Sequence, residues 1–411
     1  MKKVLIIGSG RSGKAAAELL KSEAETFIWD DKMDPAGKPD VKEYDELLLS
    51  PGVSINHPMA KEAEASGVKV TGELETAYEH SPAKFIAITG TNGKTTTTTL
   101  CGEIFKAYFD DVRVGGNIGM PLSLEVMGSK KDTWMVTEVS SFQLETVSEF
   151  HPVVSAVLNI TPDHLDRHGS FENYAACKAR VTENQTENDF FVYNLEDEEC
   201  VKVAEELKKR AHAPRLVPFS SKRKLPFEIK DIAIPGDHNM QNALAAAAIA
   251  ECCGVPRDII LKVIADFKGV AHRLEFIREL DGVRYVNDSK GTNPDSSIKA
   301  IEAIKPPIIL IAGGYEKNSD FTELIEKFDG KVKYILTLGF TGPRFAKRAV
   351  ELGFPEDKII ACSDMKDCVM KGRKLAEPGD TLLLSPASAS WDMYKNFEER
   401  GDDFRNIVNS L

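Results

Sequence analysis

Gly90-Thr91-Asn92-Gly93-Lys94-Thr95 has the composition of a phosphate-holding loop. Glycines between a strand and a helix leave backbone N–H groups free to face an anion. Lys94 adds a cation for the β- and γ-phosphates, and the Thr95 hydroxyl can ligate Mg²⁺. The spacing is GxxGKT, with Ile88 where an ordinary P-loop has its first glycine. Thr96 and the threonines after it are tolerable in a first helical turn. An ATP site is the expectation for this loop.

Gly8-x-Gly10-x-x-Gly13 offers a second, weaker phosphate turn. It reads either as a nucleotide or nucleotide-sugar turn at a helix N-terminus, or as a tight strand-to-helix corner and nothing more. An NAD reading would want an acidic residue about twenty positions on, and Asp30 or Asp31 could serve. Glu138 ends an apolar run, where a carboxylate at a strand's C-terminal edge can reach a metal; alone, such a residue is more often a solvated strand end. Asp163-His164-Leu165-Asp166-Arg167-His168 is dense in titratable groups, and His164 is the candidate for metal or substrate contact. Arg273, in Ala271-His272-Arg273-Leu274-Glu275, could reach a phosphate across a hinge or pair with Glu275. Asn287-Asp288-Ser289-Lys290-Gly291-Thr292-Asn293-Pro294, Lys317, and the serines 385–390 before Trp391 all stand at strand exits of one sheet.

These groups need strands and helices to hold them. Apolar runs predict strands at 4–7, 26–29, 47–49, 85–88, 134–138, 153–159, 190–194, 283–286, 308–312, 334–338 and 381–384. Helical patterns lie between them, so the whole chain reads as α/β. The 71–82 region is polar and helix-like and serves as one boundary. The pattern resets near Val270. The expected domains are 1–74, 75–270 and 271–411: a Rossmann-like first domain, a central ATPase-type sheet and a Rossmann-like third.

Length and composition limit the alternatives. At 411 residues, 42% hydrophobic and 28% charged, the chain can bury two or three cores. With 52 basic against 64 acidic residues, a net charge of −12 argues against bulk nucleic-acid binding. No apolar stretch is long enough to span a bilayer. The 7 cysteines lack a CxxC pair, which fits a reduced cytoplasmic protein with structural thiols, and neither a disulfide framework nor a zinc site.

Taken in order, the 90–95 loop, Glu138-Val139-Ser140-Ser141-Phe142-Gln143-Leu144, residues 159–168, Gly236-Asp237-His238-Asn239-Met240-Gln241-Asn242-Ala243, His272-Arg273-Leu274-Glu275 and residues 288–293 resemble the Mur ligase family. The resemblance covers nearly the whole chain. That family builds the peptide stem of bacterial peptidoglycan by ATP-dependent amide formation. Gly116-Asn117-Ile118-Gly119 and Ser385-Pro386-Ala387-Ser388-Ala389-Ser390-Trp391-Asp392 are similar to the member that adds D-glutamate to UDP-N-acetylmuramoyl-L-alanine.

The resemblance implies site residues one by one. Gly90, Thr91, Asn92, Gly93, Lys94, Thr95, Thr96, Asn239, Asn242, Arg273 and Asp288 would contact ATP. Lys94, Glu138, His164 and Lys178 would be catalytic. Two Mg²⁺ ions would be held by Thr95, Glu138 and His164, with Lys178 at the family's carbamylated lysine; from its surroundings alone, Lys178 reads as a solvated helix residue. Arg11, Ser12, Asp30, Asp31, Lys32, Ser50 and Asn117 would bind the UDP-sugar. His164, Thr292, Lys317, Ser390, Trp391 and Phe397 would surround D-glutamate. Asp31 and Lys32 are similar only in type to the family's uracil contacts, and Trp391 stands where some relatives have a smaller aliphatic residue. The implied protein is a cytoplasmic monomer acting on small molecules, without nucleic acid. The competing readings are a Mur-type ligase with another acceptor amino acid and a non-catalytic nucleotide-binding protein; an NAD oxidoreductase is a minor third.

Overall fold

Strands that are apolar at every position belong to parallel sheets covered on both faces. Ile308–Ala312 is such a run, and in the computed structural model all of its residues are buried. The structure describes residues 1–411 apart from 32, 35, 36, 224–228, 230, 231, 233–236 and 316–318. The described chain is α/β with three sheets, and it divides into two units, Met1–Phe267 and Lys268–Leu411.

The first unit holds two sheets. In the first, β1 (Lys2–Ile7), β2 (Ala24–Trp29), β3 (Glu46–Leu49) and β4 (Lys69–Gly72) run parallel in the order β2-β1-β3-β4. The strand order reverses between β1 and β3, so the exits of those two strands open a crevice. The second sheet comprises β5 (Lys84–Thr89), β6 (Val112–Gly116), β7 (Trp134–Glu138), β8 (Val154–Val157), β9 (Phe190–Asn194) and β10 (Arg215–Phe219). Its order is β10-β9-β8-β5-β7-β6, all parallel, and it switches direction between β5 and β8.

The 71–82 segment is helical as expected, but polar residues in it are buried. Thr71 and Gly72 finish β4, and a helix occupies Glu73–Glu79. Glu73 and Glu75 in its first turn are buried. They accept backbone N–H groups instead of facing water: Ser123 N reaches Glu73 at 2.7 Å, and Ser148 N and Phe150 N reach Glu75 at 2.9 and 3.2 Å. Burial raises both carboxyls above their ordinary range. This helix thereby ties the connection between the two sheets to the second sheet's loops.

The second unit contains β11 (Glu275–Leu280), β12 (Val283–Asn287), β13 (Ile308–Ala312), β14 (Val332–Thr337), β15 (Ile359–Ala361) and β16 (Thr381–Leu384). The order is β11-β12-β16-β13-β14-β15, with only the β11–β12 pair antiparallel. Because β16 inserts between β12 and β13, the loops leaving these three strands are neighbours at one sheet edge.

Candidate active site

A cleft of about 600 Å³ lies between the two sheets of the first unit. From the first sheet it is lined by Gly8, Gly10, Arg11, Ser12, Asp30, Asp31 and Ser50, and from the second by Gly116, Asn117, Gly119 and Gln143. The sequence-derived nucleotide-sugar residues Arg11, Ser12, Asp30, Asp31, Ser50 and Asn117 therefore meet in one place; Lys32 lies outside the described residues. Gly8 has φ 105°, and a Cβ there would stand 2.8 Å from Ser50 Cβ. A Cβ on Gly13 would overlap Gly8 O. The first turn thus requires glycine for close packing as well as for any ligand. Ser9 N and Oγ both donate to Asp30 Oδ2, at 2.9 and 2.7 Å, and Arg11 Nη2 donates to Gly119 O at 3.0 Å across the cleft.

The 90–93 loop sits at the second sheet's switch point. It is held from the β8 exit: Thr91 N donates to Asn159 O at 2.9 Å, and Asn92 N to Asn159 Oδ1 at 2.8 Å. Gly93 adopts φ 83° at the start of the helix Lys94–Lys106. A Cβ there would overlap Asn242 Oδ1, so the helix Asp237–Cys252 closes directly on the loop. Asn242 and Asn239 share a 3.4 Å hydrogen bond, and Thr97 Oγ1 donates to Asn242 Oδ1 at 3.3 Å. Thr95 is buried in the first helical turn and Thr96 is half-buried.

Lys94 Nζ donates to Gly90 O at 2.9 Å and to Thr91 O at 2.8 Å. Lys178 Nζ donates to the same Gly90 O at 2.8 Å. The expectation of a solvated Lys178 is corrected: the residue is 1% exposed, with Nζ 4.6 Å from the centre of the Tyr174 ring. Burial, helped by the charge of Lys94, lowers its ammonium to about 7. Tyr174 joins this group to its neighbours. Its hydroxyl lies 3.0 Å from Thr91 Oγ1, and its ring is 6.5 Å from that of His164.

Glu138 ends β7 and is 2% exposed, so it is not a solvated strand end. Asn117 Nδ2 donates to its Oε1 at 2.7 Å, while Oε2 is buried with no hydrogen-bond partner. His164 has φ 51° at the start of the short helix Leu165–His168, and its side chain is half exposed. Its Nε2 lies 3.6 Å from Asp163 Oδ2, and its ring is 4.9 Å from that of Phe142. Among the described residues, no group of three or more His, Cys, Asp or Glu side chains forms a ready-made metal cage.

In the second unit Asp288 is buried at the β12 exit. Ser385 Oγ reaches its Oδ2 at 2.8 Å and Leu274 N reaches its Oδ1 at 3.2 Å. Burial pushes the Asp288 carboxyl up to about 7. Ser390 is buried, Trp391 is 60% exposed with its ring 5.5 Å from that of Tyr315, and Phe397 is half-buried and accepts a hydrogen bond from Ser289 Oγ at its carbonyl. Thr292 is half-buried and Arg273 exposed. Glu275, the sequence-derived alternative partner of Arg273, accepts from Arg405 Nε and Nη2 at 2.9 and 2.8 Å. Lys317 lies outside the described residues.

Comparison with known proteins decides the family. Residues 88–250 match the Mur ligase middle domain, and residues 272–388 match the Mur ligase, glutamate ligase domain. The chain belongs to the Mur ligase family. A Mur ligase relative from Thermoanaerobacter sp. (strain X514), named UDP-N-acetylmuramoylalanine--D-glutamate ligase, is 44% identical over 100% of this chain and 98% of its own. One of the same name from Clostridioides difficile (strain 630) is 44% identical over 90% of this chain and 86% of its own. Among solved structures, MurC from Thermotoga maritima superposes with a TM-score of 0.60 at 17% identity, covering 100% of both chains. The MurF ligase from Thermotoga maritima in complex with ADP gives 0.60 at 16%, covering 100% of this chain and 95% of that one. These two show the shared fold.

Some residues that shape these regions escaped sequence reasoning. Val53 and His57 line the cleft. His57 Nδ1 accepts Met59 N at 3.2 Å, and its Nε2 lies 3.8 Å from Asp31 Oδ2. Arg400 is 1% exposed and donates to Ser289 O, Ser388 O and Ala389 O at 2.8, 3.1 and 3.2 Å, binding the loops after β12 and β16 together. A histidine before a helix-starting proline was a readable signal for His57. Nothing local marks Arg400.

Proposed function

We propose that this Mur ligase joins D-glutamate to the carboxylate of UDP-N-acetylmuramoyl-L-alanine, driven by ATP, in peptidoglycan precursor synthesis. The acceptor follows from full-length similarity to relatives named for that reaction. The observation that carries the site is the 2.7 Å bond between Asn117 and Glu138. It links a residue of the cleft wall to a buried carboxylate in the same sheet as the phosphate loop.

A carboxylate is a poor electrophile, because its leaving group would be oxide. In the proposed reaction a substrate carboxylate oxygen attacks the γ-phosphorus, and the bond to the ADP oxygen breaks. The resulting acyl phosphate is attacked at its carbonyl carbon by the amine of D-glutamate. The nitrogen loses a proton, and the tetrahedral intermediate expels phosphate. Arg11, Ser12, Asp30, Asp31, Lys32, Ser50 and Asn117 hold the UDP-sugar. The loop N–H groups, with Thr91, Asn92, Thr96, Asn239, Asn242, Arg273 and Asp288, hold ATP. Lys94 turns from the carbonyls of Gly90 and Thr91 to the phosphates and spreads the charge that crowds there during transfer. Thr292, Lys317, Ser390, Trp391 and Phe397, with His164, surround D-glutamate.

The unpartnered Oε2 of Glu138 fits a divalent cation, since a buried carboxylate oxygen without a donor is costly. Thr95, Glu138 and His164 would hold Mg²⁺, which when bound would neutralise phosphate charge. An ammonium held near 7 leaves much of Lys178 as free amine, the form that adds CO₂ to become a carbamate. That modification would invert its charge beside the phosphate loop. The proposed domains are 1–74, 75–270 and 271–411, in a cytoplasmic monomer; among the described residues no helix is long and apolar enough to cross a membrane.

Trapping with hydroxylamine tests the intermediate. ATP and UDP-N-acetylmuramoyl-L-alanine without D-glutamate should give the substrate hydroxamate and ADP, detectable by mass spectrometry. Hydroxamate formation that requires D-glutamate would contradict activation before amine attack.

A further inference from the structure

The segment 163–168 supplies His164 to the reading above and leaves Arg167 without a role. Arg167 Nε and Nη2 grip the Glu145 carboxylate at 3.0 and 2.6 Å. The same Nη2 donates to Val53 O at 2.9 Å, and the guanidinium carbon lies 4.1 Å from the centre of the Phe142 ring. The two charged side chains are only 12% and 10% exposed.

One partner lines the cleft and the others lie beside its opposite wall. Val53 lies in the turn leaving β3 and lines the cleft beside Ser50. Phe142 and Glu145 flank Gln143, which lines it from the second sheet. One planar cation therefore holds a carboxylate and a ring beside the Gln143 wall and a backbone carbonyl of the Val53 wall. A pair serving only to fasten the helix Leu165–His168 would need Glu145 but not Val53. Lysine could keep the charge but has its donors on one nitrogen and lacks the planar fork that grips a carboxylate from two nitrogens.

We propose that Arg167 is a positioning residue that sets the spacing between the two walls of the cleft, and thereby the affinity for the nucleotide-sugar, without touching it. The inference rests on the reading of this cleft as the UDP-sugar site. His168 Nδ1 lies 3.7 Å from the same carboxylate, and its Nε2 is 3.1 Å from Ser141 Oγ.

The test titrates the full chain with UDP-N-acetylmuramoyl-L-alanine and, separately, with a non-hydrolysable ATP analogue and Mg²⁺. Arg167→Lys should weaken UDP-sugar binding about tenfold or more while changing nucleotide binding less than about twofold. Glu145→Gln, which leaves the Val53 bond, should weaken it about threefold, and the double variant should fall short of the product of the two effects. Unchanged UDP-sugar affinity in a folded Arg167→Lys, or equal losses for both ligands, overturns the inference. If Arg167→Lys does not fold, unchanged affinity in Glu145→Gln overturns it instead. Absence of UDP-sugar binding by the unaltered chain would overturn the reading of the cleft itself.

Discussion

Asn117 on the cleft wall and Glu138 at the end of β7 share one hydrogen bond: Asn117 Nδ2 donates to Glu138 Oε1 at 2.7 Å, and Glu138 Oε2 is left buried without a donor. Removing the negative charge should therefore separate activity from stability. Glu138→Gln should reduce turnover by about 10²-fold or more, the scale for losing one group that stabilises transition-state charge. Its thermal midpoint without ligands should be equal to or above that of the unaltered chain, because a buried charge has been removed. Differential scanning calorimetry beside a turnover assay checks both halves.

Lys178 should give stability a rising pH dependence. Its ammonium is lowered to about 7 by burial and then by Lys94, so between that value and its ordinary 10.5 the unfolded chain holds a proton that the folded one lacks. Stability then increases with pH across this window. Lys178→Met lacks the effect, so its advantage in thermal midpoint in CO₂-free buffer should shrink from pH 7 to pH 10. A constant difference would remove the buried, unmodified amine from the account.

Asp288 should act in the opposite sense. Its carboxyl is pushed up from 3.8 to about 7 by burial, so the folded chain holds a proton that the unfolded one has lost. The resulting stability is full below pH 3.8 and is lost as pH rises to 7 and beyond. Asp288→Asn should flatten that contribution. Urea midpoints measured for both chains from pH 5 to pH 8 should converge toward the acid end.

Gly93 is constrained twice, by φ 83° and by the nearness of Asn242 Oδ1. Gly93→Ala should destabilise by about 1–2 kcal/mol from the backbone alone. It should also raise the KM for ATP, because Asn242 has to move. A KM unchanged within error would show that Asn242 does not help to form the nucleotide site.

The parts of this site that were legible in sequence are those set by short-range chemistry. The exit of β7 at Glu138 follows from an apolar run that stops at a carboxylate, and the first cleft wall follows from a glycine-rich turn after β1. Burial fixed by distant partners was not legible. Lys178 lies in Ala175-Ala176-Cys177-Lys178, and its environment comes from Gly90 O, 88 residues away. Arg167 and Val53 are 114 residues apart. Weak strands were missed for a local reason: β6 ends in two glycines, β15 is a three-residue edge, and β11 mixes three charged residues with three apolar ones. None of these has the long continuous apolar run that marks a central parallel strand.

The central claim is the identity of the acceptor, and phosphate release measures it most directly. The full chain with ATP, Mg²⁺ and UDP-N-acetylmuramoyl-L-alanine would be offered D-glutamate, L-glutamate and other amino acids in parallel. The account predicts release that depends on both D-glutamate and the UDP-sugar and that is abolished by Lys94→Ala. Release with another amino acid but not with D-glutamate, or no release from a folded chain that binds ATP, would contradict it.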